Sequence, residues 1–173
     1  PQFEAYSFAL ARSNEYEADA IAAELTTPEI ATRALVNVHA TAPYVDETYW
    51  KSYFRQADEH PEPLHAPFAG LVAFLKDNPI PREEMLDRIR GAMAVETHYA
   101  DTHPCLKDRV NGLGAPPQLP VPPETSAADA WLGAQSQEIM ANFDRDWLNE
   151  NGEAWGQRYD YVRNAENHLE KCS

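Results

Sequence analysis

Proline placement limits this chain more than any other feature. Proline inside a helix removes a backbone donor and clashes with the preceding turn, and it pushes the residue before it toward extended backbone. His60-Pro61-Glu62-Pro63 and Asn78-Pro79-Ile80-Pro81 therefore break any regular element. Between such breaks the sequence has helical character. Period-2 alternation never holds for long, whereas apolar residues recur at helical spacing. Residues 2–25 are dense in Ala, Glu and Leu with no Gly or Pro, which favours one long helix. Thr27 is placed to cap a second helix that has Pro28 at its first position. Ile30, Ala34, Leu35 and Val38 form its expected apolar stripe. A third helix is predicted over 46–59, with Tyr49, Trp50, Tyr53 and Phe54 on one side as core. Further helices are predicted over 67–76 and 82–97, the latter through Met85, Leu86, Ile89 and Met93. Pro104 opens a short helix that ends at Gly112 or Gly114.

Ala115–Glu124 holds Pro116, Pro117, Pro120, Pro122 and Pro123. Such a run favours extended polyproline geometry and acts as a semi-rigid spacer. After it, Thr125 or Ser126 caps a long helix carrying Trp131, Ile139, Phe143 and Trp147. Asn151-Gly152 is expected to interrupt that helix before a last one with Trp155, Tyr159, Val162 and Leu169. The sequence thus predicts an all-α fold: a helical bundle over 1–114, a Pro-rich linker over 115–124 and a C-terminal helical hairpin over 125–173.

The 173 residues are 43% hydrophobic and carry a net charge of −14, with a pI near 4.7. A packed core is within reach of that composition. A nucleic-acid partner is not expected, because no cluster of Arg and Lys offsets the repulsion from phosphates. No apolar run approaches the length of a membrane span. The two cysteines, Cys105 and Cys172, have no CxxC partner, so zinc held by thiolates is not supported.

Two stretches carry the chemistry. In Asn14-Glu15-Tyr16-Glu17-Ala18-Asp19, the carboxylates of Glu15 and Asp19 are one helical turn apart and share a face. Ala11, Ala18 and Ala22 surround Glu15, and residues so small let another helix come close. Two like charges at this spacing repel unless a cation or an arginine sits between them. In Thr102-His103-Pro104-Cys105-Leu106-Lys107-Asp108-Arg109, the histidine before proline is held out of helix, at the lip of the helix that contains Arg109.

Together, Glu-x-x-Ala-Asp on an alanine-rich helix and a later His-Pro-x-Leu-x-x-Arg resemble the downstream half of metallopeptidase family 48, which includes HtpX and the CAAX prenyl proteases. The resemblance runs in order through residues 1–114, with a longer segment between the two motifs than is usual. It implies roles for the matching positions. Glu15 would be the third zinc ligand, Asp19 would orient a ligand or an arginine, His103 would face the reacting carbonyl, and Arg109 would pair with an acidic group, with Asp19 the candidate.

Such an enzyme also needs His-Glu-x-x-His, in which two histidines bind zinc and the glutamate activates water. That motif is absent: the histidines are 39, 60, 65, 98, 103 and 168, and no two are four apart. The chain is therefore expected to be part of a zinc-dependent endopeptidase, inactive alone and binding no zinc alone. The expected parent is a membrane-anchored bacterial protein that acts on peptide or protein substrates, with this chain as a soluble region of it. The face left by a missing helix would be apolar and could support a dimer. The rival expectation is a helical protein-interaction module without catalysis, which does not require Glu15, Asp19, His103 and Arg109 to meet.

Overall fold

A computed structural model describes residues 2–121 and 124–172. Pro122 and Pro123 of the proline-rich run, and the Cys172 side chain, lie outside what it describes. Among the described residues there is no strand, and the all-α prediction holds. The helices are α1 (Gln2–Leu25), α2 (Pro28–Val45), α3 (Lys51–Arg55), α4 (Pro67–Asp77), α5 (Arg82–Ala94), α6 (Leu106–Leu113), α7 (Ala127–Leu132) and α8 (Gln135–Cys172). Two compact units interleave in sequence. One comprises Pro1–Tyr44 and Ile80–Pro122, the other Val45–Pro79 and Pro123–Ser173.

In the first unit, Thr27 caps α2 as its sequence requires: the Ile30 amide donates to Thr27 Oγ1 at 3.3 Å. The core joins Val36 and Ala40 of α2 to Ile89 of α5 and to Leu106 and Val110 of α6. Burying a side chain such as Leu106, 1% exposed, stabilises the fold by about 1.5–3 kcal/mol. The predicted stripe on α2 is displaced. Leu35 packs on the core, but Ile30 and Val38 are exposed, and the buried positions are Ala31, Thr32, Val36, Ala40 and Tyr44. The helix is apolar on more than one side, so periodicity alone does not select the face that α5 and α6 cover. Helix α5 ends at Ala94, short of the predicted 97, because Val95 already has extended backbone. Gly114 ends α6 in the left-handed conformation, at φ 70°. Beyond it Ala115 is buried and Leu119 packs on the core, so the first half of the proline-rich run is anchored.

In the second unit the buried residues are Tyr49, Tyr53, Ala57 and Trp155, ringed by Val45, Trp50, Leu71, Phe74 and Trp147. The aromatic face predicted as core is core, apart from Phe54, which is exposed. Tyr49 and Tyr53 stack at 5.6 Å between centroids, and Trp155 meets Tyr53 edge-on at 5.5 Å. The polar ends of these rings secure the proline loop. Tyr49 Oη donates to the Pro67 carbonyl, Tyr53 Oη to the His65 carbonyl at 2.8 Å, and Trp155 Nε1 to the His60 carbonyl at 2.9 Å. Asp144 of α8 accepts from the Phe68 and Ala69 amides at 2.7 and 3.4 Å. It thereby caps α4, whose own N-cap, Ala66, has no side-chain acceptor.

Two boundaries differ from the sequence reading. The helix that starts at Pro28 does not stop before 46 but continues through a π-helical turn, Asp46–Trp50, into α3. Pro43 lies inside α2 and lacks the amide that would reach back one turn. The C-terminal region breaks at Gly133, φ 53°, after Ser126 has capped α7 through the Asp129 amide at 3.0 Å. The expected interruption at Asn151-Gly152 does not occur: α8 is continuous for 38 residues. Packing on Trp147 and Trp155 to either side outweighs the weak helix propensity of Asn and Gly.

Burial, with the Asp144 carboxylate nearby, pushes the Tyr49 phenol up to about 12. Burial, then Tyr49 and Asp144, raises Tyr53 as well. A phenol raised in the folded state contributes stability that is complete below its unfolded value of about 10 and is lost as pH rises past it. Unfolding free energy should therefore fall from about pH 10 to about 12, and Tyr49→Phe should flatten that slope. Denaturant titrations across this range check it; equal slopes in the two proteins would contradict it.

Candidate functional site

The site lies in the first unit, where α1 meets the segment leading into α6. Helical spacing puts Arg12, Glu15, Tyr16 and Asp19 on one face of α1. Opposite, Pro104 is buried and Cys105 has extended backbone, so the chain turns into α6 just after His103. Leu106 and Val110 face the core and fix the rotation of α6. That rotation sends Arg109 to α1.

Arg109 grips Asp19 bidentately, Nε to Oδ2 at 2.7 Å and Nη2 to Oδ1 at 2.6 Å. Its Nη1 lies 2.9 Å from Glu15 Oε2. The arginine thus sits between two carboxylates one turn apart and removes their mutual repulsion. The hydrogen bonds that it donates to Asp19, and then the charges of Asp19 and Glu15, raise the guanidinium above its ordinary value despite burial. Side-chain exposure is 13% for Arg109 and 10% for Asp19. Their pairing is accordingly screened far less than a surface salt bridge.

Glu15 Oε1 lies 3.0 Å from His103 Nδ1. A carboxylate only accepts, so Nδ1 carries the proton and Nε2 is left free of this bond. The Glu15 side chain is 27% exposed and that of His103 72%. All four residues singled out from the sequence converge, and Arg109 pairs with Asp19 as expected.

Sequence reading missed the residues that hold the segment before His103. Thr97 Oγ1 accepts from the Cys105 amide at 2.8 Å and donates to Asp108 Oδ2 at 2.7 Å. Arg12 Nη1 donates to the Tyr99 and Asp101 carbonyls. Arg12 stands one turn before Glu15 on the same face, which is the signal available for it. Thr97 and the backbone carbonyls left none.

A profile of Peptidase family M48 matches residues 2–116, about two thirds of the chain, including both motifs. The chain belongs to peptidase family M48. Family M48 consists of metallopeptidases, hydrolases of peptide bonds that are generally zinc-dependent. Neither the curated proteins nor the solved structures compared gave a match. Among the described residues of this M48 chain, no helix is long and apolar enough to cross a membrane. Nor do three or more His, Cys, Asp or Glu side chains gather where they could hold a metal ion. The Glu15 side chain has the chemistry of a single zinc ligand: it is a carboxylate, partly exposed, and each oxygen keeps a lone pair beyond its single contact. A structural or catalytic zinc site takes at least three protein ligands, so the set is not complete among these residues.

Arg109→Met should destabilise the fold by about 3 kcal/mol, because Asp19 would be left buried and unpaired. Arg109→Met with Asp19→Leu should regain most of that loss. Denaturant midpoints of the single and double variants are the measurement; a single variant within about 0.5 kcal/mol of wild type would remove the pair from the stability argument.

Proposed function

We propose that this chain forms the downstream half of the catalytic domain of a membrane-associated M48 zinc endopeptidase, with Glu15 as the carboxylate zinc ligand. The observation that carries the reading is the contact of one carboxylate, Glu15, with both His103 and Arg109. An interaction module has no need of that convergence.

When bound, zinc would supply Lewis-acid polarisation of the substrate carbonyl and an activated water. Glu15 holds its share of the metal with a carboxylate that is oriented in advance. Arg109 locks Asp19 and Glu15 on one face of α1, and Asp19 fixes the guanidinium, so Glu15 cannot swing away when substrate arrives. His103 uses Nδ1 on Glu15 and has Nε2 for the substrate. As imidazolium it donates at both nitrogens, and its Nε2–H meets charge developing on the reacting carbonyl oxygen.

The remaining ligands and the general base belong, on this reading, to a His-Glu-x-x-His helix outside this sequence. Ala18 and Ala22 beside Glu15 are exposed, which leaves room for a helix to approach closely. The chain by itself is proposed to be inactive. Leu10, Ile21 and Leu25 of α1 and Ile30 and Val38 of α2 are exposed as well. Such apolar surface would drive self-association of the isolated chain; light scattering that finds a strict monomer over a wide concentration range would count against this.

The test of the function joins this chain to an upstream segment carrying His-Glu-x-x-His. Zinc binding and cleavage of an unstructured peptide should appear, and Glu15→Ala should abolish both. Asp19→Asn should weaken zinc binding by about 10–100-fold, the usual effect of losing a group that orients a ligand. Zinc-dependent cleavage by the chain alone, or full zinc affinity in Glu15→Ala, would overturn the proposal.

A further inference from the structure

We propose that Arg12 is a positioning residue for His103: it ties the turn before the histidine to α1 and so holds the imidazole against Glu15. The proposal rests on the reading of His103 as the residue that faces the reacting carbonyl, but its geometry stands without zinc.

His103 has little packing of its own, being 72% exposed at the side chain. Its place against Glu15 must therefore come from its backbone. From Val95 to Cys105 the chain has no helix or strand, and a segment of that kind takes its position from specific ties. On the far side of the histidine, the buried Pro104, the Leu106 knob and the Thr97–Cys105 bond anchor the chain to α6 and the core. Those ties position His103 relative to α6. They refer it to α1, where Glu15 sits, only indirectly, through the pairs that Arg109 of α6 makes with Glu15 and Asp19; a second and direct reference is open to the turn before the histidine.

Arg12 supplies that second reference. Residues 98–101 form a self-closed turn: the Asp101 amide donates to the His98 carbonyl at 3.0 Å, and the His98 amide donates to Asp101 Oδ2 at 2.6 Å. This leaves the Tyr99 and Asp101 carbonyls for other donors, and Arg12 Nη1 takes both, at 3.2 Å for Tyr99 and 2.5 Å for Asp101. The turn therefore moves as one body with α1. His103 follows two residues after Asp101, and Glu15 follows Arg12 by one helical turn. The imidazole and its carboxylate partner are thus both referred to the same helix. Arginine suits this task because its always-charged guanidinium offers several fixed donors at the end of a long stem.

The readout is which imidazole nitrogen carries the proton in the isotope-labelled chain, read from long-range nitrogen–proton spectra at one mildly alkaline pH. The His103 signal is identified by its loss in His103→Gln. In the wild type it should show a proton on Nδ1, fixed by Glu15. Arg12→Met keeps the aliphatic stem and removes every donor, and should replace that signature with a mixture in which Nδ1–H no longer dominates. A purely structural role for Arg12 would lower the thermal midpoint without moving the tautomer. Unchanged Nδ1–H dominance in folded Arg12→Met overturns the proposal, as does a wild type without it. Should Arg12→Met not fold, Arg12→Gln, which cannot reproduce both bonds, takes its place, and an undiminished Nδ1–H signature there counts equally against. Failure of Glu15 to bind zinc would leave this spectrum untouched, so the two readings fail separately.

Discussion

Arg109 is the interaction on which the arrangement depends. It joins α6 to α1 across a gap of 90 residues in sequence, and it is the group that makes two carboxylates one turn apart tolerable. Without it, Asp19 would be a buried anion with no counter-charge and Glu15 would lose one of its two restraints. The apolar core does the complementary work. Val36, Ala40, Ile89, Leu106 and Val110 set where α6 lies and how it is rotated. The ion pair then reads that placement out at the other face of the helix. Neither alone determines the site, because a core of this kind tolerates rotation and sliding that a bidentate guanidinium does not.

The all-α character was legible because it rests on local physics. Thr27-Pro28 and Ser126 cap, Gly114 terminates, and the proline pairs break where backbone sterics require. The four candidate residues, whose side chains the structure brings together, stood out for a different reason, namely that two short stretches resemble the two motifs of one family. What failed was decided by tertiary packing. The buried face of α2 is chosen by α5 and α6, and Asn151-Gly152 stays helical because tryptophans on both sides are packed. Arg12 and Thr97 act largely through backbone partners, and backbone carbonyls have no signature in a sequence.

The π-helical turn shows how a sequence can hold two registers. Buried positions run 36, 40 and 44 along α2, then 49, 53 and 57, with a step of five at the turn. Within the second unit the spacing of four then resumes, so that Tyr49, Tyr53 and Ala57 fall on one buried face.

The balance of charge around Glu15 has a consequence for the state without metal. Many small zinc sites place several repelling ligands together and cannot fold until the ion arrives. Here one arginine already offsets part of the carboxylates' charge, and His103 gives the remaining Glu15 oxygen a hydrogen bond. If Glu15 is the ligand proposed above, the scaffold that presents it is held by these partners and does not owe its existence to the ion. On the function proposed above, loss of metal would silence the enzyme while leaving this part of it intact and ready to be recharged.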